Sequence, residues 1–256
     1  MSRTIRHIHI SKPSSLIKYA DAAKIQDHFV RLNLDHRLSP GTALAPPPTI
    51  LTMEMAPVYT FGRRQITDPD TSRQIYRLEK EADGADCVVT QRGGQTTFHG
   101  PGQLVSYPIL DLKEFNLSSK CYIRHLESTA IESLAASPFH IFAKTTENPG
   151  IWTTDTSKIG SVGVHLRRYI TSHGISVNVS TDLSWFEKII ACGLPDAYAT
   201  SIRAEMGDDA WHDAVEGKGS VVEWFACLYA QRFASLLGCG IKRCELEDAL
   251  RWQSCI

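Results

Sequence analysis

Arg92-Gly-Gly-Gln-Thr-Thr-Phe-His99-Gly-Pro-Gly-Gln-Leu-Val-Ser-Tyr107 decides how this chain is to be read. Apolar runs flank it, Cys87-Val-Val-Thr90 before and Leu104-Val-Ser-Tyr-Pro-Ile-Leu110 after, so the stretch reads as a loop between two strands. Glycine gives up more conformational entropy on folding than any other residue, and Gly93, Gly94, Gly100 and Gly102 crowd around one imidazole. That density fits a loop whose backbone must approach something closely, and we read it as lining a ligand pocket. No Gly-Lys-Ser/Thr follows the glycines, which excludes a Walker-type phosphate loop.

Working outward, Thr49 to Phe61 reads as one strand closed by Gly62, and Tyr19 to Leu38 as a helix with Ile25, Phe29 and Leu32 on one face. Ile8-His-Ile10 reads as a first strand. Ser119 to Ala136 carries Ile123, Leu126, Ala130 and Leu134 on a helical stripe. Three strand-like runs follow, at 150–154, 158–167 and 170–179, then a short helix from Asp182 to Ile190. In the second run Ser161, Gly163 and His165 alternate with Val162, Val164 and Leu166, which predicts one lined and one buried face. Ser220-Val-Val-Glu223 is a capping box that opens a last long helix, and Gly238 can end it. Residues 39–48, with three consecutive prolines, and the polar stretch 203–219 read as surface loops or insertions. Strands and helices without strict βαβ alternation predict an α/β (α+β) fold: one domain over residues 1–256, with a mixed, largely antiparallel sheet packed by helices.

Composition narrows the function. The apolar share of 43% and charged share of 21% are those of an ordinary globular protein, and no apolar run is long enough for a membrane helix. A net charge of −1 argues against nucleic acid or anionic membrane as a partner, while Arg63-Arg64 and Arg167-Arg168 are local patches suited to an acidic protein. Seven cysteines without Cys-x-x-Cys or a Cys/His cluster at zinc spacing suggest free, mostly structural thiols in a reducing compartment and no metal. Arg3, Arg6, Lys12 and Lys18 precede the first acidic residue, Asp21, as in a mitochondrial presequence. The early strand and helix favour a chain that begins at its domain.

The pattern Arg-Gly-Gly-x-x-Thr-aromatic-His-Gly-Pro-Gly-Gln-x-x-x-Tyr-Pro resembles the signature of lipoyl(octanoyl) transferases, in the biotin/lipoate protein ligase superfamily. Lys158-Ile-Gly-Ser-Val-Gly163, His173-Gly-Ile-Ser176 with Asn178, and Ala191-Cys192-Gly193 extend the resemblance in order along nearly the whole chain. It implies that Cys192 is the acyl-accepting nucleophile and Lys158 the residue that activates it. It further implies that Arg92, Gly93, Gly94, Gln95, Thr96, Thr97, Phe98 and His99 bind the acyl substrate, with Ser161, Val162, Gly163, Gly174, Ile175 and Ser176. The implied reaction moves octanoyl from octanoyl-acyl carrier protein to a lysine of lipoyl domains, in 2-oxoacid dehydrogenase complexes and the glycine cleavage H protein. Neither ATP nor any cofactor is needed. The implied compartment is the mitochondrion for a eukaryotic source and the cytoplasm for a bacterial one.

The chemistry of the residues stands beside this. A free thiol has a pKa of about 8.5 and needs a cation or hydrogen bonds to become a nucleophile at neutral pH. Cys192 follows the short helix, at the negative end of its dipole, so a cation from elsewhere is required; Lys158 is the best placed. A desolvated lysine can also act as a base. His99 and His173 are open to acid–base roles, but we assign both to pocket architecture, and Asn178 to a bond across the sheet. Backbone N–H groups near Gly93–Gly94 or Cys192 are the expected oxyanion donors. An ATP-dependent lipoate or biotin ligase on the same fold is the alternative, opposed by Cys192 and the His-Gly-Pro-Gly-Gln run. A non-catalytic binding module would have no need of Lys158 and Cys192, and a papain-like hydrolase lacks the expected surroundings.

Overall fold

The computed structural model describes residues 3–10, 16–39, 45–81, 84–189 and 196–251. Among these, strands β1 (Thr4–Ile10), β2 (Thr49–Met53), β6 (Gln103–Ile109), β8 (Ser157–Arg167), β9 (Ile170–Asn178), β10 (Tyr198–Ala199) and β11 (Gly240–Arg243) lie side by side. Their order is β10-β8-β9-β6-β2-β1-β11, and β7 (Ile151–Trp152) pairs with β8. The long ladders β8–β9, β9–β6 and β6–β2 are antiparallel, whereas β1 runs parallel to β2 and β11, and β10 parallel to β8. The sheet is therefore mixed, with its antiparallel half in the middle.

Period-2 alternation sends successive side chains to opposite faces, and the strands obey it. Ile5, Ile50 and Leu104 join the core packed by helices α3 (Ser119–Ala135) and α7 (Val221–Leu236), through Tyr122, Leu126, Phe225 and Tyr229. Ile8, Leu51 and Val105 point the other way, onto α1 (Tyr19–Leu38) through Phe29 and Val30. With helices on both faces, all nine residues of β9 are buried.

A second sheet, β4-β3-β5, is formed by β3 (Val58–Phe61), β4 (Asp86–Val89) and β5 (Thr97–His99). Helices α2 (Thr71–Glu81) and α4 (Ser184–Glu187) close a small core with Tyr59, Phe61, Leu78, Phe98 and Phe186.

Several sequence readings need correction. Thr49–Phe61 is two strands: at Glu54-Met-Ala-Pro57 the chain leaves the main sheet, with Ala56 N–H bonded to Ile17 O at 2.9 Å and Pro57 offering no donor to a ladder. The stretch 203–219 holds helices, α5 (Ile202–Met206) and α6 (Asp208–Val215), joined by Gly207 at φ 78°. Trp211 and Ala214, three apart, are buried, which makes α6 an amphipathic helix with a narrow apolar face. Within Asp182–Ile190 the described helix is the single turn of α4; Ile190 and the residues leading to Cys192, on which the dipole reading falls, lie outside the described residues. Of the capping box at Ser220, the hydroxyl does accept Glu223 N–H at 3.2 Å, but the Glu223 carboxylate pairs with Arg243 instead of returning to the cap. Residues 40–44 of the loop 39–48, and Cys192 with its neighbours, lie outside the described residues.

Candidate active site

β5 places Thr97 and His99 on one face and Phe98 on the other. Thr97 and His99 face a cavity of about 350 Å³ beside the Gly-rich loop. Strand β8 contributes Ser161, Val162, Gly163 and Val164 to its wall, β9 contributes His173, Gly174, Ile175 and Ser176, and β6 contributes Tyr107. Consecutive residues of β8 and β9 border it, so the strict alternation expected along 158–167 does not divide lined from buried side chains here. Ile123 from α3 adds apolar wall, with Pro149 and Lys158 at another side.

Of the residues singled out from sequence, the structure brings Arg92, Gly93, Gly94, Gln95, Thr97 and His99 together around this cavity, with Lys158, Ser161–Gly163 and Gly174–Ser176. Thr96 and Phe98 lie elsewhere. Thr96 Oγ1 is 2.9 Å from Gln65 Oε1, and Phe98 is fully buried in the small core, stacked on Trp185 with centroids 5.0 Å apart. Cys192 is not among the described residues.

Arg92, His99 and Lys158 in the wall are each held by side-chain bonds to the fold, whereas the buried His173 Nδ1 has no hydrogen-bond partner. Arg92, buried, gives Nε and Nη2 to Thr60 Oγ1 at 3.2 and 2.8 Å, Nη2 to Thr60 O at 2.6 Å, and Nη1 to Gly93 O at 3.0 Å. The loop is clipped to the main sheet by Gly93 N–H on Val164 O at 2.9 Å. That bond occupies Gly93 N–H and removes it from the expected oxyanion donors. Gly163 permits the clip, since a Cβ there would stand 3.0 Å from Gly93 O and 3.1 Å from Arg92 Cδ.

His99 donates from Nδ1 to Gln103 Oε1 at 2.7 Å, and Gln103 Nε2 donates to Phe98 O at 3.1 Å and to Asn178 Oδ1 at 2.8 Å. Asn178 Nδ2 continues to Thr200 O at 2.8 Å, and Thr200 N–H bonds Lys158 O at 2.9 Å. A polar chain thus crosses β6, β9 and β8, and because Gln103 Oε1 can only accept, His99 carries its proton on Nδ1. Burial, reinforced by the Arg92 cation, holds His99 down at about 4 and His173 at about 3. Both imidazoles are neutral at pH 7, which fits an architectural role and denies either the charge to stabilise a thiolate.

Lys158 is buried, with Nζ donating to Pro149 O at 3.2 Å and lying 5.0 Å from the centre of the Trp152 ring. The described cysteines are free; Cys121 is exposed and Cys87, Cys227, Cys239 and Cys244 are half-buried, less enclosed than the sequence suggested. Desolvation pushes Cys87 up to about 11 and raises Cys227 and Cys239, so none of these three is an activated thiol. Among the described residues no three His, Cys, Asp or Glu side chains gather at metal-binding distance.

Residues 27–221 match the lipoyl protein ligase A/B catalytic domain. The chain belongs to this family. Within it, the chain is similar to octanoyltransferases. A probable octanoyltransferase of Schizosaccharomyces pombe is 42% identical over 200 residues, covering 78% of this chain and 87% of that one. The mitochondrial octanoyl-[acyl-carrier-protein]:protein N-octanoyltransferase LIPT2 of Danio rerio is 41% identical over 205 residues, covering 80% and 84%. A lipoate-protein ligase A structure bound with ATP superposes with a TM-score of 0.63 over 98% of this chain and 93% of that one. Its 12% identity makes that likeness one of fold.

Seen as a lipoyl ligase-family site, the cavity has members that sequence reasoning left out: Tyr107, Ile123, Asn148, Pro149 and Arg64. Tyr107 stood within the Gly-rich signature and could have been found there. Beside the cavity, Glu127 was also missed. It is a buried carboxylate on α3, and its signal was an acid embedded in the apolar stripe of Ile123, Leu126 and Ala130.

Proposed function

We propose that the protein transfers an octanoyl group from octanoyl-acyl carrier protein to a lysine of lipoyl domains through a thioester on Cys192. The observation that carries the reading is the buried Lys158 on the wall of a partly apolar cavity formed by the motifs of the octanoyltransferase signature. Ile123, Val162, Val164 and Ile175 offer apolar surface to a chain, at about 0.8 kcal/mol per buried CH₂.

In the first half-reaction the Cys192 thiolate attacks the donor thioester carbon. The carbon–sulfur bond to the carrier breaks and the departing thiolate takes a proton. In the second, the neutral ε-amine of the acceptor lysine attacks the S-octanoyl carbon; an amide forms, Cys192 leaves as thiolate, and the amine's proton passes to a base. Lys158 serves as counter-charge to the thiolate and as the proton carrier between the two halves. Thioester exchange is nearly isoenergetic and amide formation is downhill, so the cycle closes without ATP. The acceptors we assign are the lipoyl domains of 2-oxoacid dehydrogenase complexes and the glycine cleavage H protein. The compartment we assign is the mitochondrion, as in the name of the zebrafish relative.

The donor approaches over a basic rim. Arg63 and Arg64 are exposed, and Arg64 borders the cavity. Arg63 N–H bonds Arg92 O at 2.8 Å, and Arg63 and Arg167 both depress the His165 imidazole, after its burial, so the two cations share one face. An acidic carrier protein fits that charge.

Intact-protein mass spectrometry after mixing with octanoyl-acyl carrier protein, without ATP, tests the reading. A gain of one octanoyl group that is lost in Cys192→Ser is expected. No adduct, but transfer of free octanoate once ATP is supplied, would replace it with the ligase alternative.

A further inference from the structure

Glu127 has no role in the reaction as set out above, yet it is a carboxylate buried on α3, facing the strand that carries Lys158. Burying a charge is costly unless it is paired and hydrogen-bonded, so its surroundings must compensate. Its Oε1 accepts Gly150 N–H at 3.0 Å. Burial raises its carboxyl, against which the Gly150 bond, the Lys158 ammonium and Arg124, one turn earlier on the same helix, pull it down. Lys158 from β8 and Arg124 from α3 are the charged groups it feels.

Gly150 belongs to a strap, residues 148–152, that wraps the lysine. Pro149 O accepts from Nζ, and the Trp152 ring lies against the ammonium. Trp152 Nε1 closes the strap on Asn148 O at 3.2 Å, and Trp152 exchanges two backbone bonds with Lys144 at 2.7 and 3.0 Å. At Gly150, with φ 141°, a Cβ would stand 2.4 Å from Lys158 Cε and 3.0 Å from Nζ. The strap therefore touches the lysine stem at a position only glycine can fill, and the Glu127 carboxylate holds that glycine's N–H.

We propose that Glu127 is the positioning residue of Lys158: it anchors the 148–152 strap that cradles the ammonium and supplies the negative charge facing it. The inference rests on the catalytic reading of Lys158 for its consequence in turnover, but the coupling itself is independent of turnover. Glu127→Gln keeps an oxygen for Gly150 N–H and removes the charge; Glu127→Ala removes both. Losing a nearby negative charge disfavours the protonated amine, so Lys158 reacts faster with an amine-acylating reagent at neutral pH.

The experiment measures Lys158 acylation by a small N-hydroxysuccinimide ester, site-resolved by peptide mass spectrometry across pH 6–9, beside the pH–rate profile of octanoyl transfer. In Glu127→Gln, labelling of Lys158 at pH 7.5 rises about threefold to tenfold, and the pH–rate profile of transfer changes with it. In Glu127→Ala the labelling profile also changes and transfer falls further; Glu127→Asp restores part of the wild-type profile. Unchanged labelling and an unmoved pH profile in Glu127→Gln, with only a lowered melting temperature, would overturn the inference. Altered labelling with wild-type transfer at every pH would instead preserve the coupling and remove Lys158 from the mechanism.

Discussion

Gln103 Nε2 donates to Asn178 Oδ1 at 2.8 Å across the β6–β9 ladder, where the two are register partners. Through Gln103 the bond reaches His99, and through Asn178 it reaches Thr200 and the backbone of Lys158. The histidine of the Gly-rich loop and the lysine of β8 are thus built on one buried polar chain, whose members hold each other in place only while every donor is matched.

Gln103→Leu tests that dependence. It strands the His99 Nδ1–H, Phe98 O and Asn178 Oδ1 in a buried setting, and an unmet buried group costs about 1–3 kcal/mol. A loss of about 2–4 kcal/mol in urea unfolding is expected, together with slower transfer. A loss within a few tenths of a kcal/mol would mean that the chain contributes nothing to stability.

Acid should unfold the protein through its buried imidazoles. His7 and His99 are held at about 4 and His173 at about 3, all below the ordinary value of 6.5 and all chiefly by burial. The unfolded chain therefore binds more protons than the folded one between about pH 6.5 and 4, and stability is full above 6.5 and falls as pH drops through that window. Each imidazole contributes a slope of up to about 1.4 kcal/mol per pH unit. Urea midpoints measured at pH 7.5, 6, 5 and 4.5 check it, and His99→Gln should flatten the slope.

The outline of this molecule was legible where the signal is local. Tyr19–Leu38 is bounded as read, because an apolar stripe ends at polar, proline-rich chain. Strands β8 and β9 were legible as two strand-like runs, 158–167 and 170–179, while their antiparallel pairing shows only in the structure. What could not be read depends on distant partners. Gly240–Arg243 becomes a strand only by lying parallel to β1, more than two hundred residues away in sequence. Helix α6 is held by two buried residues in an otherwise polar stretch. Within the site the signature located the loop, yet it could not tell Thr97, which faces the cavity, from Phe98, which faces away. Glu127 escaped because its meaning lies in Gly150 and Lys158, on other elements.

The basic rim predicts a split between donors. Arg63→Glu combined with Arg167→Glu should raise KM for octanoyl-acyl carrier protein about tenfold or more at low salt, because like charge at the rim opposes encounter with an acidic protein. The effect should shrink as salt is added, since exposed charges are screened over about 8 Å at physiological ionic strength. A small thioester such as S-octanoyl-N-acetylcysteamine carries no acidic surface, and its kinetics should stay near wild type. Equal losses with both donors would place these arginines in the cavity chemistry.

Phe98→Ala separates packing from binding within the signature itself. The ring is fully buried, stacked on Trp185 at 5.0 Å with planes 5° apart, and meets Tyr59 and Phe186 at 5.3 and 5.7 Å. Removing it leaves a cavity in the small core under β3–β5, at a cost of about 3–5 kcal/mol. Phe98→Tyr is the sharper variant, because it adds to the buried ring a hydroxyl at Cζ, the atom packed against Gly100, on the face of β5 opposite Thr97 and His99. If the aromatic position served the acyl chain, both variants would change KM for the donor while leaving the unfolding transition in place. The structure predicts the reverse: a lowered urea midpoint in both, larger in Phe98→Ala, with KM unchanged at temperatures where the variants remain folded.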